Sequence, residues 1–137
     1  MPAVDELIPV APALNTAPSS GPTSRALVWT FVCALDQLEP LWGEAALLDG
    51  VQVALFLLPD GAVHAVSNQD PATGSFVMSR GIVGSRAGRP TIASPLHKQV
   101  FDLVTGECYT HPELRLAVIP VDVRDGQVRI AMQSEAA

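Results

Sequence analysis

Apolar residues in this chain come in short runs separated by turn residues, a rhythm that predicts strands rather than long helices. Ala26 to Cys33 mixes Val, Trp, Thr and Phe and reads as a first strand. Leu35 to Trp42 carries Asp36 where a helix N-cap would fit, so one short helical turn is expected there. Asp49-Gly50 then separates Glu44–Leu48 from Val51–Leu58, and Pro59-Asp60-Gly61 separates that run from Ala62–Ser67. Asp-Gly between apolar runs is a strong hairpin signal, because both turn residues tolerate positive φ. The C-terminal segment repeats the device, with Asp125-Gly126 between Val118–Arg124 and Gln127–Met132.

Asn68 to Tyr109 breaks this rhythm. Gly74, Gly81, Gly84, Gly88 and Gly106, with Pro71, Pro90 and Pro95, make it rich in loops. Short strands are expected at Ile82–Gly84, Thr91–Ala93 and Gln99–Leu103, and a turn at Asp102–Gly106. A long excursion between regular hairpins is where an all-β scaffold normally carries its site.

Composition bounds the picture. At 137 residues one domain is expected, and scarce aromatics with abundant Val, Leu and Ala suit small packed sheets. Twelve prolines and ten glycines reinforce the reading of short strands and frequent turns. The predicted organisation is a Pro/Ala-rich tail over 1–24, an all-β domain over 25–133 and a short tail over 134–137. A net charge of −6 argues against gripping nucleic acid phosphates. No apolar stretch approaches the roughly 20 residues that span a bilayer, so no membrane partner is expected. The N-terminus carries Asp5 and Glu6 and lacks a basic, then apolar, leader pattern, which makes the cytoplasm the expected compartment. Cys33 and Cys108 are expected as free thiols there, and two isolated cysteines cannot make a Cys₄ metal site.

Two stretches of the insertion resemble the cluster loops of Rieske proteins, which carry Cys-x-His and Cys-x-x-His. The first is Ala65-Val66-Ser67-Asn68-Gln69-Asp70-Pro71-Ala72-Thr73-Gly74; its cysteine position falls on Asp70 and its histidine position on Ala72. The second runs from Ser94-Pro95-Leu96-His97-Lys98-Gln99 through Phe101 to Cys108, with Ser94 at the cysteine position and His97 at the histidine position. Asp70 and Ser94 offer harder oxygen ligands, Ala72 offers none, and one imidazole cannot hold a [2Fe–2S] cluster. Val28-Trp29, Val32-Cys33-Ala34-Leu35 and Ser79-Arg80-Gly81-Ile82-Val83-Gly84, together with the loop at Ser94, resemble the cluster-free small subunits of assimilatory NAD(P)H nitrite reductases. That resemblance implies a Rieske-like antiparallel β-sandwich or barrel whose loop-rich insertion stands in place of a cluster-binding subdomain. It implies an accessory subunit with no catalytic residue or cofactor of its own. Siroheme, a [4Fe–4S] cluster, FAD and NAD(P)H would belong to the large catalytic subunit.

Within the insertion, Arg80, Arg86, Arg89 and Lys98 face a single acid, Asp70, over Asn68–Lys98. Such a basic lobe on an acidic chain suits docking to an acidic partner face, or is only a solvated loop. His97 is expected to pin the two loops by hydrogen bonding. A metal site on Asp70, Ser94 and His97 would have a thin ligand set. The spacing Gly81-x-x-Gly84-x-x-x-Gly88 lacks the ending of a phosphate loop and is attributed to turn geometry. Trp29, Trp42 and Phe101 are expected in the core. Asp36, Glu39 and Glu44 have no opposed partner for acid–base work, and no basic neighbour activates either cysteine. Two other readings stand beside the accessory subunit: a Rieske electron-transfer protein, and an independent metal- or ligand-binding β-domain.

Overall fold

The computed structural model describes residues 27–133, so the tails expected at 1–24 and 134–137 lie outside the described residues. Ten strands follow in order: β1 (Leu27–Ala34), β2 (Glu44–Leu48), β3 (Val51–Leu57), β4 (Val63–Ser67), β5 (Ile82–Arg86), β6 (Arg89–Ala93), β7 (Val100–Asp102), β8 (Val118–Ile119), β9 (Val121–Arg124) and β10 (Gln127–Gln133). They form three antiparallel sheets, ordered β1-β10-β9, β2-β3-β4-β8 and β5-β6-β7. No closed barrel forms among the described residues, and the fold is a stack of open sheets.

The burial pattern of β3 explains the stacking. Strands with one wet face alternate, but Val53, Ala54, Leu55 and Phe56 are all buried, as in a sheet covered on both sides. Val53 and Leu55 join Leu38, Val63, Ala65, Val128 and Ile130 in one core cluster. Ala54 and Phe56 join Val66, Met78, Ile92, Phe101, Leu103, Cys108 and Leu116 in the other. The four-stranded sheet is therefore the middle layer, with the terminal sheet on one face and the insertion on the other.

Two of the three Asp-Gly turns have both residues left-handed, with φ +50° and +80° at Asp49 and Gly50 and +52° and +75° at Asp125 and Gly126. These mirror-image turns match the twist of the strands they join. The insertion is more regular than its composition suggests. Its hairpin turns at Ala87-Gly88, with φ +52° and +83°, and Ala87 is not a residue that announces such a turn.

Three sequence expectations are corrected. Asp36 does not cap a helix: Leu35–Gln37 is a single 3-10 turn capped at Ala34, whose N–H donates to Gln37 Oε1 at 2.9 Å. Trp42 is not core but 66% exposed. It follows Leu41, whose φ is +70°, and it lies in the connection before β2 rather than in a strand. Trp29 is half-buried, and only Phe101 of the three aromatics is fully buried. The glycine series is the third case. Gly88 serves a turn, but Gly81 serves a close approach, since a Cβ there would fall on the carbonyl oxygen of Ala93. We expect Gly81→Ala to lose roughly 1–3 kcal/mol in denaturant unfolding. Gly84→Ala should lose less, because its Cβ would meet Thr91 Oγ1 at an ordinary 3.4 Å. Equal losses at the two positions would refute the close-approach account.

Candidate functional site

The first loop leaves β4 at Asn68, a buried residue that anchors it on both sides. The Asn68 side chain donates to Gln52 Oε1 at 3.0 Å and accepts the Ser79 N–H at 2.7 Å. Its carbonyl accepts the N–H of Met78, which opens the 3-10 turn Met78–Arg80. Asp70 then closes a tight loop, its N–H donating to the Ser75 carbonyl and its own carbonyl accepting from Gly74. The second loop leaves β6 at Ser94, whose carbonyl accepts the Lys98 N–H across a turn in which Lys98 takes φ +59°.

The two loops meet at one bond. Ser94 Oγ donates to Asp70 Oδ2 at 2.6 Å, and both residues are buried. Asp70 Oδ1 accepts the Ala72 N–H at 2.8 Å, and Ser94 Oγ accepts the Leu96 N–H at 3.2 Å. The side chains at the two cysteine positions thus satisfy each other and their own loops. Buried polar groups normally find such partners. His97 is exposed, so the expected tie through that residue is corrected: Asp70 and Ser94 make it, while the Ser94–Lys98 turn carries His97 outward.

A Rieske centre needs two thiolates on one iron and two imidazoles on the other. The residues present do not fit it. Cys33 packs beside the core cluster of the terminal sheet and Cys108 lies inside the opposite one, so the two thiols do not converge. Burial, then the nearby Glu44 carboxylate, pushes the Cys33 thiol up, away from the thiolate form. Among the described residues no three His, Cys, Asp or Glu side chains are grouped to hold a metal ion.

The four basic residues expected to dock a partner divide into two pairs. Arg89 Nε donates to Asp102 Oδ2 at 2.5 Å, and the Arg86 guanidinium lies 4.6 Å from the centre of the Tyr109 ring, so both are engaged within the insertion. Arg80 and Lys98 are exposed beside the loop pair. With Asp70 buried, the segment 68–98 presents no exposed carboxylate.

Sequence reasoning missed Asp102, the most connected polar residue of the insertion. It accepts from Arg89, from Tyr109 Oη at 2.7 Å, and from the N–H groups of Val104 and Thr105 at 2.7 and 3.0 Å. Burial alone would raise its pKa, but the bonds from Arg89, Tyr109 and the two amides hold it well below the usual carboxylate range. The signal was present: an Asp followed by Leu-Val-Thr-Gly is the signature of a side chain that accepts its own downstream amides.

Comparison with known proteins agrees with this geometry. Residues 28–131 match the family model described as a Rieske-like [2Fe-2S] domain. The nitrite reductase (NADH) small subunit of Escherichia coli strain K12 is 37% identical over 103 residues, spanning 74% of this chain and 95% of that protein. A crystal structure provisionally named as an NADH-dependent nitrite reductase small subunit from Mycobacterium tuberculosis is 50% identical, with a TM-score of 0.74 over 77% of this chain and 96% of that one. The nitrite reductase [NAD(P)H] large subunit of Klebsiella oxytoca is 35% identical over 105 residues, which is 77% of this chain but 11% of that protein.

Proposed function

We propose that this chain, which belongs to the Rieske-like [2Fe-2S] domain family and within it to the nitrite reductase (NADH) small subunits, is an accessory subunit that supports a large catalytic subunit without a cluster of its own. The observation that carries this reading is the buried bond between Asp70 and Ser94. Where two thiolates would bind one iron, two oxygen-bearing side chains bond to each other and link the same two loops. The domain keeps the shape of a Rieske protein and gives up its redox centre. The partnership draws support from the Klebsiella oxytoca protein, in which a segment similar to this chain lies within a large-subunit polypeptide. Siroheme, [4Fe–4S] and FAD then carry electrons from NAD(P)H to nitrite in the large subunit, in the cytoplasm, and this chain supplies no catalytic residue.

The test is co-purification with the large subunit, followed by nitrite-dependent NAD(P)H oxidation with and without this chain. The isolated small subunit is expected to be colourless above 400 nm after anaerobic iron and sulfide reconstitution, and the large subunit alone should lose activity or lifetime. A reducible iron–sulfur absorption on the isolated chain would replace this reading with that of an electron carrier. Full activity and stability of the large subunit alone would remove the accessory role.

A further inference from the structure

Two close backbone approaches bring three exposed apolar residues to the surroundings of the loop pair. A Cβ on Gly43 would fall on the Ser79 carbonyl oxygen, so the backbone next to Trp42 lies against Ser79, which precedes Arg80. Gly81 lies against Ala93 in the same way, and Ile82 pairs with Ala93, next to Ser94. Leu96 is held to Ser94 by its N–H. Trp42, Ile82 and Leu96 are 66%, 68% and 45% exposed, and it is their grouping that marks the surface as a contact site. Leu41, beside Trp42, keeps a left-handed backbone that a leucine adopts only at a cost, and it lines an open groove of about 460 Å³ with Leu58, Val83 and Pro90.

Charge gives this face a direction. The segment 68–98 holds four of the chain's eight basic residues and one of its fourteen acidic ones, and that one is buried. The rest of the chain carries thirteen acids against four bases. Ile82 and Leu96 lie within this basic segment, and Trp42 is brought against it through Gly43 and Ser79. A desolvated aromatic anchor inside a charged rim is the anatomy of a protein interface.

We infer that Trp42, Ile82 and Leu96, flanked by Arg80 and Lys98, form the surface that docks on the large subunit, and that its counterpart is an apolar recess edged by carboxylates. This rests on the accessory-subunit reading and names the face that reading leaves open. Trp42 supplies the anchor, and the two cations steer the approach and set its orientation. Arg86 and Arg89, tied to Tyr109 and Asp102, contribute to the field but not to the contact.

The test measures affinity for the large subunit by calorimetry or interferometry at several salt concentrations. Trp42→Ala, and separately the pair Arg80→Glu with Lys98→Glu, should each weaken binding more than tenfold while leaving the unfolding midpoint within a few degrees. Arg124→Glu, on the terminal sheet, is the control and should bind as the wild type does. The wild-type affinity should fall with salt, and the charge-reversed pair should lose that dependence. Unchanged affinity in all variants, with the wild type binding, overturns the face and leaves the subunit reading intact. A wild-type chain that does not bind the large subunit overturns the reading and the face together. Self-association of the isolated chain that Trp42→Ala abolishes would assign the face to a second copy and overturn the proposal.

Discussion

Asp102→Ala should lower folding stability by about 3 kcal/mol, because it strands several donors at once. The carboxylate sits at the end of β7, nearly sealed from solvent, and receives four hydrogen bonds from three directions. They are not equal. Arg89 is 47% exposed, and an ion pair with one solvated partner contributes little net energy. Tyr109 Oη and the amides of Val104 and Thr105 lose a charged acceptor, and each such bond counts for about 1–2 kcal/mol. For a domain of this size that loss moves the melting midpoint by roughly 10–20 °C. The expected order is Asp102→Ala well above Tyr109→Phe, with Arg89→Ala smallest. An Arg89→Ala loss equal to that of Asp102→Ala would mean the ion pair, not the carboxylate, holds the insertion.

The same residue sets an acid dependence. Its carboxyl is depressed in the folded state, so its contribution is complete above the unfolded value of about 4. As pH falls below that value the unfolded chain takes up a proton first, and stability drains away down to the lower folded value. The stability gap between wild type and Asp102→Asn should therefore be constant above about pH 5 and narrow steadily below pH 4. A gap that widens on acidification would contradict the assignment. His64 adds its own slope at higher pH, since burial lowers its pKa against the opposing pull of Asp60 and Asp102. Taking the difference between the two proteins removes most of that background.

How much of this was legible in the sequence depends on how local the cause is. Asp49-Gly50 and Asp125-Gly126 announce their hairpins because the requirement, positive φ at both positions, is met by the residues themselves. The run Val53–Phe56 was readable as a strand, but not as the middle layer, because double-sided burial depends on sheets contributed by distant segments. Trp42 was misassigned for the same reason: hydrophobicity favours burial, but the residue falls in the connection before β2, where no sheet covers it. At the loop pair, the resemblance to Rieske cluster loops marked Asp70 and Ser94 as changed ligand positions. That they bond to each other depended on folding two segments 24 residues apart onto one point.

That bond carries the second large effect. Asp70→Ala should cost about 2 kcal/mol, because it leaves the buried Ser94 hydroxyl, and less severely the part-buried Ala72 amide, without an acceptor. Ser94→Ala should cost about 2 kcal/mol, leaving Asp70 Oδ2 unmatched and the Leu96 amide free. The double variant should lose far less than the sum. Once both polar groups are gone, no desolvated partner remains to be penalised, so a coupling energy of about 1–2 kcal/mol is expected from the cycle. Hydrogen exchange supplies the local readout. Amides held within the loops, Gly74 on the Asp70 carbonyl and Lys98 on the Ser94 carbonyl, should exchange faster in either single variant, while those of β3 follow only the global loss. Because Leu96 and Ile82 sit beside this bond, the single variants should also weaken docking on the large subunit at temperatures where they remain folded. Additive stability losses would show two independent polar groups. Unchanged exchange in both loops would show that the sheets, and not this bond, hold the docking face in place.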